Sequence, residues 1–142
     1  MVNIEMADIL AGLGQHIAEI VEGNPDQCYI YAEADAGFQE AGVFRDVGDK
    51  VLYFDPDDEL VDDIGRLWHS AEPDKKWAAL HYDVQNGQFD AQFDYPDSFD
   101  PEETSDDRRE RALRTRFGDK PVIYPPPDEG FYDLTEADLP GD

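Results

Sequence analysis

Three histidines (His16, His69 and His81), the single cysteine Cys28 and thirty-five Asp and Glu are the side chains with which this chain could do chemistry. Nucleophilic catalysis requires a Ser, Thr or Cys within reach of an oriented base, and none of the histidines stands in a recognisable motif. The sequence contains no His-Glu-x-x-His, no Cys-x-x-Cys, no complete Walker glycine loop and no Gly-x-Ser-x-Gly. Gly12-Leu13-Gly14 is only a fragment of a phosphate loop, because no third glycine follows and no strand precedes it. His16 falls beside the apolar stripe of a helix and His69 near a helix end, where a cation is favourable; both read as structural. Carboxylate pairs could serve acid–base chemistry, but acids this abundant single out no pair. The clusters FDPDDEL and FDPEET lack the spacing, central glycine and terminal glutamate of a calcium loop. No catalytic residue, metal or cofactor is therefore expected, and the expected activity is binding.

One stretch carries more information. In HYDVQNGQFDAQFDYPD, residues 81–97, Asn-Gly is the strongest short-range signal for a two-residue hairpin turn, since both central positions need positive φ. With Asn86 and Gly87 in the turn, Val84 faces Phe89, Tyr82 faces Ala91, Leu80 faces Phe93 and Ala78 faces Tyr95, giving one apolar sheet face. The same register sets Asp83 opposite Asp90, with Asp94 further along. Like charges opposed across strands are destabilising, so this face needs cations from somewhere.

The elements around the hairpin follow from periodicity. Met6, Ile9, Leu10, Leu13, Ile17, Ile20 and Val21 form the stripe of an amphipathic helix over 3–22, stopped by Gly23-Asn24-Pro25. Strands are predicted at 27–35, 40–47 and 50–54. A second helix begins with Asp55 as cap and Pro56 in the first turn, and buries Leu60, Val61, Ile64, Leu67 and Trp68. A third, 101–117, begins with Asp100 as cap. Alternation puts Cys28, Ile30, Ala32 and Ala34 on the core side of the first strand. Tyr29, Tyr31, Glu33 and Asp35 lie on the other side, joined there by Trp77, Ala79, His81 and Asp83 and by Asp90, Gln92 and Asp94. The expected fold is α+β: one domain over 1–127, with an antiparallel sheet of about five strands and helices one and two on its apolar face. An acidic, loosely held tail is expected at 128–142.

Thirty-five acids against eleven Lys and Arg give a formal net charge of -24. Such a field repels nucleic acid and membrane surfaces and attracts cationic partners; solubility or salt tolerance would explain the total equally well. At 40% hydrophobic with eight Phe and seven Tyr, the chain is apolar enough to fold. One cysteine excludes an intramolecular disulfide, no apolar run is long enough for a membrane span, and the acidic start MVNIEMADIL is unlike a signal peptide, so a cytoplasmic location is expected. Five arginines, Arg108, Arg109, Arg111, Arg114 and Arg116, crowd into the third helix. They either pair with the aspartates of the sheet and of their own helix or meet a partner's acids.

The order CYIYAEAD, a helix ending in RLW, KKWAALHYDVQNGQFDAQFDYPD and an arginine-bearing helix closing on Phe117-Gly118 resembles the YezG-like family of bacterial immunity proteins, or antitoxins, over residues 3–121. The third helix, RRERALRTRFG, departs from the family pattern, which has an aromatic residue after the arginine. The resemblance implies an α+β protein that binds and neutralises a cognate bacterial toxin, often a nuclease. The outward aromatics and acids fit an interface, so Tyr29, Tyr31, Glu33, Asp83, Asp90 and Asp94 are the expected contact surface for a basic toxin. Two rivals stay open: a small acidic adaptor domain for a basic protein segment, and a hydrolase using Asp or Glu.

Overall fold

The computed structural model describes residues 3–124; the expected acidic tail at 128–142 lies outside the described residues. Helix α1 (Ile4–Val21) starts where Asn3 accepts the Met6 N–H at 2.8 Å, one of the otherwise unpaired donors of a helix start. It is followed by strands β1 (Cys28–Asp35), β2 (Phe38–Asp46) and β3 (Val51–Phe54). Helix α2 (Asp58–Ser70), the hairpin β4 (Ala79–Gln85) and β5 (Gln88–Asp94), helix α3 (Ser105–Phe117) and the short β6 (Val122–Ile123) are the remaining elements among the described residues. The caps of α2 and α3 sit later than the sequence reading puts them. Asp57, not Asp55, accepts the Leu60 N–H, which leaves Asp58 and Glu59 in the first turn, where the helix dipole favours acids. At α3 a reciprocal box between Thr104 and Asp107 takes over the capping, while Asp100 closes a turn onto the Glu102 N–H.

The fold is α+β, with one open sheet of six strands in the order β5-β4-β1-β2-β3-β6. All pairs are antiparallel except β3 with β6. The Asn-Gly hairpin has the register expected of it from the turn to Leu80: Val84 pairs with Phe89, Tyr82 with Ala91, Leu80 with Phe93, and Asp83 with Asp90. The expected Ala78–Tyr95 pair does not form, because the Ala78 N–H donates to the Asp94 carbonyl. Asn86 and Gly87 have φ of 55° and 76°, the positive values a type I′ turn demands.

One sheet face carries α1 and α2. There Leu13, Ile17, Ile30, Leu60, Ile64, Leu67, Leu80 and Tyr82 are fully enclosed, and the Tyr82 hydroxyl donates to the Leu10 carbonyl at 2.6 Å. Trp77 belongs to this core, against Phe93, and not to the outer face where strict alternation puts it. The cause is local. Asp94 pairs with Ala79, yet its carbonyl accepts the Ala78 N–H, so one residue is added and the parity of the preceding positions reverses.

The other face is not open. Helix α3 lies across it and encloses a second core of Tyr29, Tyr31, Phe44, Val51, Ala79, Ala112, Leu113 and Phe117. The expectation that the helices gather mainly on one face therefore holds for α1 and α2 only. The sheet is buried on both sides around β1, whose pattern is accordingly near-continuous burial.

Where α3 returns to the sheet, Lys120 donates to both carboxylate oxygens of Asp46 at 2.9 and 2.8 Å. That bond, then the Gly48 N–H, holds the Asp46 carboxyl below its ordinary 3.8. A depressed carboxyl pKa adds stability above the unfolded value, and the addition disappears as the pH falls through the folded one. Lys120→Met is expected to cost up to about 1 kcal/mol in urea unfolding at neutral pH. The gap from the parent should narrow as the pH falls below 3.8 and close once Asp46 is protonated in both chains.

Candidate functional site

The carboxylates of the outer sheet face meet the arginines of α3. Arg108 donates through Nε and Nη2 to Glu33 Oε2 and Oε1 at 2.8 and 2.9 Å, and Arg116 donates through Nε and Nη2 to Asp83 Oδ2 and Oδ1 at 2.5 and 3.1 Å. Such two-point forks are the strongest geometry an arginine offers a carboxylate. Helix and strand spacing make both possible at once. Arg108 to Arg116 is eight helical residues, about 12 Å at 1.5 Å each. Glu33 to Tyr29, the β1 partner of Asp83, is four strand residues, about 13 Å at 3.3 Å each. The two lengths match, so α3 is held at both ends.

The forks answer the electrostatic question posed by the hairpin. Asp83 does sit opposite Asp90, and Arg116 neutralises Asp83 from within the molecule. Of the two fates open to the arginines, pairing with the sheet is what Arg108 and Arg116 do; Arg111 is bonded to Glu103, and Arg109 lies 3.7 Å from Asp106. Tyr31 donates its hydroxyl to Glu33 Oε2 at 2.5 Å, and burial followed by this bond pushes the phenol far above its ordinary value. Arg108 also donates to the Glu103 carbonyl and stacks 4.0 Å from the Phe99 ring centre.

Beside the forks lies a cavity of about 350 Å³. It is bounded by the outer faces of β1, β4 and β5 and by one side of α3. Tyr29, Tyr31, Asp83, Asp90 and Asp94 line it together with His81, Gln92 and Arg116. Five of the six expected contact residues thus converge on one place; Glu33 lies outside it. They do not form an open patch, however. Tyr29, Tyr31 and Glu33 are only 3%, 4% and 4% exposed, because α3 covers them. Asp83 is tied to Arg116. For these four, a role as freely presented contacts is corrected to a role in seating α3. Asp90 is exposed, and Asp94 is half-exposed at its side chain.

His81, which no motif marks, is the centre of a relay. Its Nδ1 is 2.7 Å from the Tyr29 hydroxyl and its Nε2 is 2.8 Å from Asp94 Oδ2. Burial, reinforced by Asp83, raises the Tyr29 phenol far above its ordinary value, so it keeps its proton and can donate to Nδ1. A neutral imidazole then carries its own proton on Nε2 and donates to Asp94. Both ring nitrogens are committed, which leaves neither to accept a proton from a substrate in this arrangement. A signal for half of the relay was present in the hairpin register: His81 pairs with Gln92, so Asp94 is its diagonal neighbour on the same face.

Cys28, elsewhere in the sheet, is fully buried, and burial pushes its thiol up to about 11, the opposite of an activated nucleophile. No cluster of metal-ligating side chains is found among the described residues, and no described helix is long and apolar enough to cross a membrane. The chain matches no family model and no curated protein sequence.

Removing one partner of a buried fork strands the other. Arg108→Ala is expected to destabilise the fold by about 3–5 kcal/mol, measured by chemical unfolding. Pairing it with Glu33→Gln should recover a large part of that loss, because the uncompensated charge is then gone.

Proposed function

We propose that the chain is an immunity protein: it binds and neutralises a cationic bacterial toxin, one acting on nucleic acid, by occlusion and not by catalysis. The supporting observation is the imbalance left after the arginines of α3 are paired. Around the cavity Arg108, Arg111 and Arg116 are engaged by Glu33, Glu103 and Asp83, whereas Asp90 has no basic partner among the described residues and Asp94 has only His81. The surplus continues through the exposed Asp97, Asp100 and Glu102. Tyr95, 38% exposed in the same stretch, adds an aromatic anchor of the kind interfaces favour.

A protein that grips nucleic acid presents a basic cleft, and fixed carboxylates can occupy the positions where phosphates would lie. A net charge of -24 also steers such a partner in from a distance, raising the association rate more than the final affinity. Burial of the Tyr29 phenol and commitment of both His81 nitrogens favour binding over catalysis at the cavity.

The test is co-purification with the protein encoded beside this chain, at low and high salt, followed by titration. Asp90→Asn with Asp97→Lys changes two exposed side chains outside the α3 seat, so thermal unfolding should barely move. Affinity for the neighbouring gene's product is expected to fall at least about tenfold, equivalent to about 1.4 kcal/mol, mostly through a slower on-rate at low salt. Unchanged affinity in the double variant would remove this surface from the reading.

A further inference from the structure

We infer that the partner docks on the edge of β5 left unpaired among the described residues by adding an extended segment, cationic and apolar in alternation, as one further strand of the sheet. The inference rests on the cation-binding reading above and specifies the form in which the cationic partner is taken.

β5 is the outermost strand on its side. Its seven residues, Gln88–Asp94, offer an edge about 23 Å long. Which of its backbone groups are free follows from the turn. A two-residue loop at Asn86-Gly87 makes Gln85 and Gln88 a hydrogen-bonded pair, so alternation turns the N–H and C=O of residues 88, 90, 92 and 94 toward β4. Those of Phe89, Ala91 and Phe93 point away from the sheet. The edge carries neither lysine nor proline, two of the usual devices that blunt an exposed strand.

The two sides of this edge differ chemically. On the outer face stand Asp90 and Asp94, on the β5 side of the cavity whose other wall carries Arg108, Arg111 and Arg116. Those arginines are engaged by Glu33, Glu103 and Asp83, and the two aspartates are not paired with them. On the inner face Phe89 is 43% exposed, beside a second cavity of about 280 Å³ lined by Ala11, Ala18, Tyr82 and Val84 between α1 and the hairpin. Side chains directly opposite one another on paired strands lie about 4.5–5.5 Å apart. Lysines opposite Asp90 and Asp94 therefore meet carboxylates, and aliphatic residues opposite Phe89 and Phe93 meet rings. A second copy of this chain is a poor occupant, since edge-to-edge pairing of β5 with itself gathers the aspartates of both copies.

A fluorescein-labelled peptide of alternating lysine and valine is the probe, with a control of equal charge methylated on the valine nitrogens. Expected are binding of the parent peptide and at least about tenfold weaker binding of the methylated one. Amide exchange at Phe89, Ala91 and Phe93 should slow on binding. Ala91→Pro, which removes an outward N–H and no hairpin bond, should weaken binding by a similar factor. If Ala91→Pro does not fold, the methylated peptide decides alone. Equal binding of the two peptides without protection at β5 would overturn edge pairing while leaving charge recognition standing. No salt-sensitive binding of either peptide would overturn the inference as well. The wider reading falls separately, if the neighbouring gene's product fails to bind.

Discussion

The arginine–carboxylate forks between α3 and the sheet determine what the rest of this molecule can be. Without Arg108 on Glu33 and Arg116 on Asp83, the outer face of β1 and β4 would be a band of aspartates, glutamate and tyrosines facing water. With them it is the floor of a second core. Their contribution is more positional than energetic. Desolvating a charge pair costs about as much as its attraction returns, whereas burying Leu113 and Phe117 supplies roughly 1.5–3 kcal/mol each. The apolar patch of α3 is small, so it could slide; two forks separated by matching helix and strand lengths fix its place.

That seat changes how the acidity is understood. Repulsion between Asp83 and Asp90 is not held in reserve for a partner, because Arg116 already relieves it. Most of the basic side chains of α3 are consumed inside the molecule, and the remaining surplus is displaced toward β5 and the segment after it. Glu40 reflects the same crowding: burial, then its cross-strand neighbour Glu33, raises its carboxyl above the ordinary value. The surface that remains available is narrower than the sheet face and better defined, with Asp90 and Asp94 at a cavity instead of a plane of aromatic residues.

Local signals in the sequence were sufficient for the local structure. The period-2 pattern and Asn-Gly gave the hairpin register from Val84–Phe89 to Leu80–Phe93 but not the pair beyond it, and the stripe from Met6 to Val21 gave α1. They also grouped Tyr29, Tyr31, Asp83, Asp90 and Asp94 on one face, where the structure has them. What they could not supply was the third layer. Outward alternation in β1 looks identical whether water or another helix lies beyond it, and Tyr with Glu reads as a surface pattern until Arg108, seventy-five residues away, is placed over it. The shift of Trp77 to the inner core is of the same kind, since a single added residue opposite Asp94 reverses parity without any mark in composition. The Tyr29–His81 bond needed the β1–β4 pairing, which spans fifty-two residues and has no local signature.

Helix α3 also constrains which direction a partner can approach from. It covers β1, and on its far side the sheet ends, among the described residues, at β6, which it joins through the short turn carrying Lys120. The opposite face is filled by α1 and α2. The flank left uncovered among the described residues is the one at β5, and there Asp90 and Asp94 form no ion pair with an arginine. An edge strand without lysine would ordinarily invite association between copies. Here Asp90 and Asp94 stand along that edge, so pairing it with an identical edge would set like charges beside one another, which is unfavourable.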